Sequence, residues 1–232
     1  MERLTDPAAA VKTLHWGRNH LYLAGLATAG GTIAVVVKQF PHRVRDRLRR
    51  AGGKAVRSWR AAQAILGAGL LTPEPVMWLE PADRSGPSFY LCRHLADVVE
   101  ARYLFRAANA GEEAERFPGA DFPAFVEELG RIIRRLHDSG VRHRDLSGGN
   151  VLVRFGADRR PAAIYLVDLN RARIGRPPGI PGRLRDLSRL ALFRPEHQEL
   201  LLASYWGARA PTLRKSLYLA YHRAFLFKND AK

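Results

Sequence analysis

The chain has 232 residues, of which 47% are hydrophobic, so it can bury a core and global disorder is excluded; one two-lobed domain or two small ones fit this length. A net charge of +16 points to polyanionic partners, whether nucleic acid, an anionic membrane leaflet or a phosphorylated substrate, and charge alone does not choose among them. Cys92 is the only cysteine, which excludes an intrachain disulfide and a cysteine-built zinc site and fits a reducing compartment.

In chain order, Met1 to Thr13 mixes charged and small residues without an apolar core, so no secretory signal is expected. From Leu21 to Val37 no charge occurs, and the stretch approaches the length of a short membrane span. The Gly30-Gly31 pair at its middle and the β-branched run from Ile33 to Val37 predict instead two buried strands, His20 to Ala24 and Ile33 to Phe40, joined at the glycines; no transmembrane span is expected. Pro41 ends the second strand. Arg43, Arg45, Arg47, Arg49, Arg50, Lys54, Arg57 and Arg60 then accumulate against Asp46 alone and form a basic face. Val56 to Leu66 predicts a helix stopped by Gly67, Gly69 and Pro73, followed by strands at Val76 to Leu79 and Phe89 to Cys92.

The middle of the chain changes period. Phe122, Phe125, Val126, Leu129, Ile132, Ile133 and Leu136 recur at three- and four-residue steps, which predicts an amphipathic helix with Pro123 in its first turn and Ser139-Gly140 closing it. A loop, a strand at Val151 to Val153, a turn from Gly156 to Pro161 and a strand at Ala163 to Val167 come next. Helices are expected at Leu184 to Phe193, Glu196 to Tyr205 and Leu213 to Phe227.

The loop carries the chemistry. His143-Arg144-Asp145-Leu146 is followed by Asn150, five residues after Asp145, and Asp168 ends the apolar run Ile164 to Val167. This spacing is the one used to hold a metal-bound nucleoside triphosphate beside an acceptor hydroxyl. Asp145 is placed to accept the proton of an attacking hydroxyl; a plain turn cap is the competing role. Asn150 offers a neutral oxygen and Asp168 a charged one, a pair suited to Mg²⁺ with triphosphate and water completing the shell, against a turn cap and a pairing with Arg171. Lys38, on a β-branched strand, would reach the α- and β-phosphates as a point charge, or be a solvated edge residue. His143 reads as a core imidazole.

Lys38, the His143 to Asn150 loop and Asp168 after Tyr165-Leu166-Val167 together resemble the protein-kinase-like fold in its small bacterial branch, the lipopolysaccharide core kinases acting on Kdo or heptose sugars. Arg171 and Arg173, the Arg183 to Leu190 segment, and Ser58-Trp59 leading to Gly69 and Pro73 share that resemblance. It implies an α+β, bilobal, protein-kinase-like fold: one kinase-like domain with a small β-rich N-lobe over residues 1–95 and a mainly helical C-lobe over 96–232. It implies an ATP- and Mg²⁺-dependent kinase with Asp145 as base, Asn150 and Asp168 on the metal, and Lys38 on the triphosphate. Seven arginines accompany the single acid Asp186 between Arg171 and Arg194. Arg171 and Arg173 are the candidates for binding a phosphorylated or acidic, lipid-linked sugar. The basic patches suit an anionic membrane surface, so the expected location is cytoplasmic, peripheral on the inner face of the bacterial inner membrane. No recognition motif for specific nucleic acid accompanies the charge.

Three departures keep alternatives open. No G-x-G-x-x-G precedes Lys38, the helix Val56 to Leu66 contains no Glu to pair with it, with Ser58 and Gln63 the nearest substitutes, and Leu169-Asn170 follows Asp168 where protein kinases have Phe-Gly. An atypical minimal protein kinase and a catalytically degenerate kinase-fold binding module are the competing readings; the lack of an Ala-Pro-Glu segment after Asp168 weighs against the first.

Overall fold

A computed structural model describes residues 2–17, 19–42, 53–82, 85–207 and 212–230. The basic run Arg43 to Arg50 lies outside the described residues. The chain divides into two compact units, one comprising residues 1–64, 73–96 and 169–171, the other 65–72, 97–168 and 172–232.

The first unit is built on an antiparallel sheet. After a short helix α1 (Glu2–Thr5), strands β1 (Lys12–Trp16), β2 (His20–Thr28), β3 (Gly31–Phe40), β4 (Pro75–Leu79) and β5 (Ser88–Arg93) align in the order β1-β2-β3-β5-β4. The uncharged stretch around Gly30-Gly31 is therefore a hairpin, with Thr28 opposite Gly31 and Leu21 opposite Lys38. Alternation places Tyr22, Ala24, Val35, Val37, Phe89 and Leu91 on one face with Leu4, where they form the core of this unit. The Tyr22 hydroxyl donates to the Leu4 carbonyl oxygen at 2.7 Å, tying the N-terminal turn to the sheet. Lys38 falls on the other face of β3. Helix α2 (Lys54–Gly67) begins one residue after Gly53 and buries Ala55, Val56, Ser58, Ala61, Ala62 and Ile65, a stripe at i, i+3 and i+4 steps.

The second unit holds the long helix. Strand β6 (Val99–Glu100) leads into α3 (Ala101–Ala110), a short α4 (Glu113–Arg116), and α5 (Phe122–Asp138). Asp121 caps α5 by accepting the Ala124 N–H at 3.0 Å, and Pro123 sits in the first turn where no intrahelical donor is missed. Its buried face carries Phe122, Phe125, Val126, Leu129, Ile132, Ile133 and Leu136. Truncating a fully buried aromatic such as Phe125 in a face of this kind typically costs ~3 to 5 kcal/mol.

After α5 come β7 (Val141–Arg142), β8 (Val151–Phe155), β9 (Pro161–Leu166) and β10 (Arg173–Ile174). β6, β8 and β9 form a three-stranded sheet, and β10 pairs with β7. Leu71 bridges Tyr165, and the Thr72 hydroxyl donates to Leu166 O at 2.7 Å, which is why residues 65–72 group with this unit. Helices α6 (Ile180–Leu187), α7 (Pro195–Trp206) and α8 (Thr212–Asp230) complete it. α7 packs closely on α5: a Cβ at Gly130 would lie 2.8 Å from the Ser204 Cβ and 3.0 Å from Leu201 O. None of the helices, over the described residues, is long and apolar enough to cross a membrane.

Candidate active site

The loop between β7 and β8 is held from below by two buried groups. His143 is fully buried; its Nε2–H donates to Val167 O at 2.9 Å while its Nδ1 accepts the Asp145 N–H at 3.3 Å. Both bonds call for the same neutral tautomer, and burial lowers the pKa of this imidazole, overriding the pull of Asp186, Val167, Asp168 and Asp145. One ring thus ties the backbone at Asp145 to the backbone entering Asp168.

Asp186, on α6, is the second group. Its carboxylate is inaccessible and accepts the Arg144 N–H at 3.2 Å and 3.1 Å on its two oxygens, with Arg142 Nε 3.5 Å away and His137 Nε2 also at 3.5 Å. Burial works to raise its pKa; the hydrogen bonds from His137 and the Arg144 amide and the neighbouring positive charges outweigh it and leave the group below its ordinary value. Arg144 itself sits at φ 67°, a left-handed conformation that arginine adopts at a cost of about 1 to 3 kcal/mol.

On this foundation the loop presents Asp145 and Asn150. The Asn150 Nδ2 donates to the Asp145 carbonyl oxygen at 2.7 Å, and the same oxygen accepts the Ser147 N–H at 2.9 Å. Asn150 O in turn accepts the Val167 N–H at 3.0 Å, which places Asp168 at the end of a strand bonded directly to the loop. Asp168 has φ 59°, the second left-handed non-glycine residue of this site. Gly148 lets the loop approach α3 closely: a Cβ there would come within 2.8 Å of the Arg102 Cα. The structure therefore joins Asp145, Asn150 and the backbone of Val167, immediately before Asp168, in one hydrogen-bonded assembly.

The remaining predicted residues are placed as follows. Lys38 belongs to the first unit, on β3, opposite Leu21 and Tyr90; its ammonium lies 5.6 Å from the Phe40 ring centroid, and Lys54 on α2 lies 5.4 Å from the same ring. Ser58 is buried and returns its hydroxyl to the Lys54 carbonyl at 2.9 Å, and Gln63 is exposed. Arg171 ends a 3-10 turn at Leu169–Arg171 and is exposed; Arg173 is exposed on β10, opposite Arg142.

Sequence reasoning did not single out Asp186 and Arg189. Arg189 Nη1 donates to Asp145 Oδ1 at 2.7 Å. The Arg171 to Arg194 segment is also less of a solvated face than its composition suggests. Arg183 donates to Pro178 O at 2.8 Å, to the Tyr205 hydroxyl at 3.0 Å and to Asp138 at 2.7 Å, and Arg194 contacts Ala108 O and Glu196.

Asn150 with its amide nitrogen committed keeps an oxygen for a ligand, and Asp168 adds a carboxylate, so the donor set is two hard oxygens, the chemistry that suits Mg²⁺. Among the described residues no group of three or more His, Cys, Asp or Glu side chains is placed to hold a metal. The two oxygens fit an ion that takes most of its shell from phosphate and water.

With this geometry in place, comparison decides the family. Residues 35–199 match the family model described as lipopolysaccharide kinase (Kdo/WaaP) family. The chain belongs to the lipopolysaccharide kinase family. Lys38, Asp145, Asn150, Asp168, Arg171 and Arg173 all lie inside the matched span, as do Asp186 and Arg189. Among solved structures the chain is similar to WaaP in complex with acyl carrier protein, at 20% identity, covering 94% of this chain and 88% of that one with a TM-score of 0.67. At that identity the likeness establishes the fold, which is kinase-like. No curated protein matches the sequence. Membership of the lipopolysaccharide kinase family supports a kinase acting on lipopolysaccharide core.

Proposed function

We propose that this protein transfers the γ-phosphoryl group of ATP to a sugar hydroxyl of lipopolysaccharide core or a closely related glycolipid. Asp145 accepts the hydroxyl proton as the oxygen attacks the γ-phosphorus; the bond from that phosphorus to the bridging oxygen breaks, and ADP leaves. Lys38 binds the triphosphate, and Arg171 and Arg173 bind acidic groups on the acceptor. Asn150 and Asp168 would hold Mg²⁺, which when bound offsets the charge of the phosphates.

The observation that carries this reading is the bond from Asn150 Nδ2 to the Asp145 carbonyl, together with Val167 N–H to Asn150 O. A turn cap would need only the first. The pair of bonds ties the loop that carries the proposed base and Asn150 to the backbone leading into Asp168, which supports a shared role for the three residues. The left-handed backbone at Arg144 and Asp168 supports it further, since such conformations concentrate at functional sites.

The net charge of +16 supports a peripheral place on the anionic cytoplasmic leaflet, each well-placed cation contributing about 1 kcal/mol. A degenerate binding module is the second reading, favoured by the absence of Glu from Val56 to Leu66 and the engagement of Ser58 within its own helix. Mass spectrometry of lipopolysaccharide from cells with and without the gene separates the two. Loss of one phosphate, about 80 Da, on deletion is the expected result. An unchanged lipopolysaccharide mass excludes the kinase reading.

A further inference from the structure

Arg189 follows α6 and turns its guanidinium onto Asp145, with Nη1 2.7 Å from Oδ1. The guanidinium also lies over the Phe225 ring of α8, whose centroid is 5.7 Å from the guanidinium carbon. A guanidinium has five N–H donors in a planar fork. Nη1 is used by Asp145 and the guanidinium lies over the Phe225 ring at cation–π distance, while the side chain as a whole keeps 33% of its surface exposed. Nothing about an ion pair with a carboxylate 23% exposed demands such support, because a partly exposed pair of this kind contributes little to stability. A fork stiffened from behind by Phe225 and held at the base has instead the arrangement of a receptor for a second anion: its remaining donors are already oriented, so little rotamer entropy is lost when they are used.

Resting on the reading of Asp145 as the base, we propose that Arg189 is the residue that selects an anionic acceptor, binding a phosphate or carboxylate of the sugar through the donors that Asp145 leaves over. Binding there ties the acceptor to the same side chain that holds Asp145, so a hydroxyl near the acidic group is delivered to the Asp145 carboxylate. Arg171 and Arg173, both exposed, contribute further positive charge.

The test is equilibrium binding and transfer with two probes: deacylated lipopolysaccharide core oligosaccharide, and the same material stripped of its phosphates. Binding is measured by calorimetry without nucleotide, so the result stands whether or not transfer occurs. Wild type is expected to bind the phosphorylated core more tightly than the stripped core. Arg189→Ala should weaken binding of the phosphorylated core about 10- to 100-fold and leave the stripped core within a factor of about two, and Arg189→Lys should recover part of the loss. If the carboxylate of the sugar acid is the anion recognised, both probes weaken together in Arg189→Ala, and a carboxyl-reduced core shows the selective insensitivity instead. Phe225→Leu, which keeps the arginine and loosens its support, should weaken binding several-fold and covers the case in which the arginine variants fail to fold. In transfer assays the loss should appear in the KM of the core, with the KM for ATP unchanged. Equal affinity of Arg189→Ala and wild type for every probe, or a rise confined to the KM for ATP, overturns the proposal. Failure of wild type to transfer phosphate at all contradicts the proposed reaction but leaves the binding comparison to decide the role of Arg189.

Discussion

The Arg144 amide and the Asp186 carboxylate are 42 positions apart in sequence and 3.1 Å apart in space, and that bond fixes the backbone immediately before Asp145. A buried carboxylate is costly unless it is fully paired. Here it is met by a backbone N–H, by His137 and by Arg142, so one inaccessible acid organises the loop that carries the proposed base. Asp186→Ala removes the acceptor for the Arg144 N–H and His137 and the charge partner of Arg142. It should lower unfolding free energy by about 3 to 5 kcal/mol, measured by urea denaturation, and reduce transfer even where the protein remains folded. A loss under 1 kcal/mol would show that the loop is held elsewhere.

A chain of bonds runs outward from the same carboxylate. With His137 neutral and protonated on Nε2 toward Asp186, its Nδ1 accepts the Tyr205 hydroxyl at 2.6 Å, and that hydroxyl accepts Arg183 Nη1–H at 3.0 Å. Burial raises the Tyr205 pKa to about 12 against the nearby arginines, so it stays a donor at any working pH. Tyr205→Phe leaves His137 Nδ1 and one Arg183 N–H without this partner and should cost ~1 to 3 kcal/mol. Thermal or urea unfolding checks it, and a neutral outcome would mean that water replaces the hydroxyl.

Acid should unfold this protein in two stages. Burial lowers the pKa of His137 and of His143, each against the opposing pull of Asp186. A group whose folded pKa is depressed contributes stability that is complete above its unfolded value and is lost as pH falls toward the folded one. For the two histidines the loss therefore starts below 6.5, the ordinary imidazole value. Asp186, also depressed, adds a second loss below the ordinary carboxylate range near pH 4. Melting temperature should fall steadily from pH 7 to pH 5 and more steeply below 4. A flat profile between 7 and 5 would contradict the buried, neutral state of both rings.

Much of this architecture was legible in the sequence where burial follows a period. The hairpin around Gly30-Gly31 and the helix Phe122–Asp138 are written in apolar spacing, because each buries one face against a single core. β1 was not foreseen: all five of its residues are exposed, so as an edge strand it has no alternation to read. α3 was missed because Ala101, Ala107 and Ala108 supply much of its buried face, and alanine is a weak hydrophobic signal. The helix expected at Leu184 to Phe193 begins earlier, at Ile180, with Pro181 in its first turn, and ends at Leu187. Leu190 and Leu192 are buried without being helical, which mimics continued periodicity. Asp145, Asn150 and Asp168 could be picked out by spacing. Asp186 and Arg189 could not, since their partners lie more than 40 positions away in sequence and only the fold brings them together.

Asn150 is used on both sides of its amide in this account. Asn150→Ala loses the bond to Asp145 O and the oxygen offered to the metal, so kcat/KM should fall at least ~100-fold while stability drops only about 1 kcal/mol. Asn150→Asp keeps an oxygen but removes the donor. It should retain more Mg²⁺-dependent activity than the alanine variant, read from transfer rate against Mg²⁺ concentration. Equal activity of the two would detach Asn150 from the metal.

The most direct measurement is transfer of labelled γ-phosphate from ATP to lipopolysaccharide by wild type, Asp145→Asn and Asp168→Asn, with melting temperatures taken on the same samples. Wild type should label the acceptor, and each variant should lose about 100- to 10,000-fold in rate with its melting temperature within a few degrees of wild type. A folded variant at either position that transfers phosphate at close to the wild-type rate would contradict the assignment of these two carboxylates, and with it the account of how this loop works.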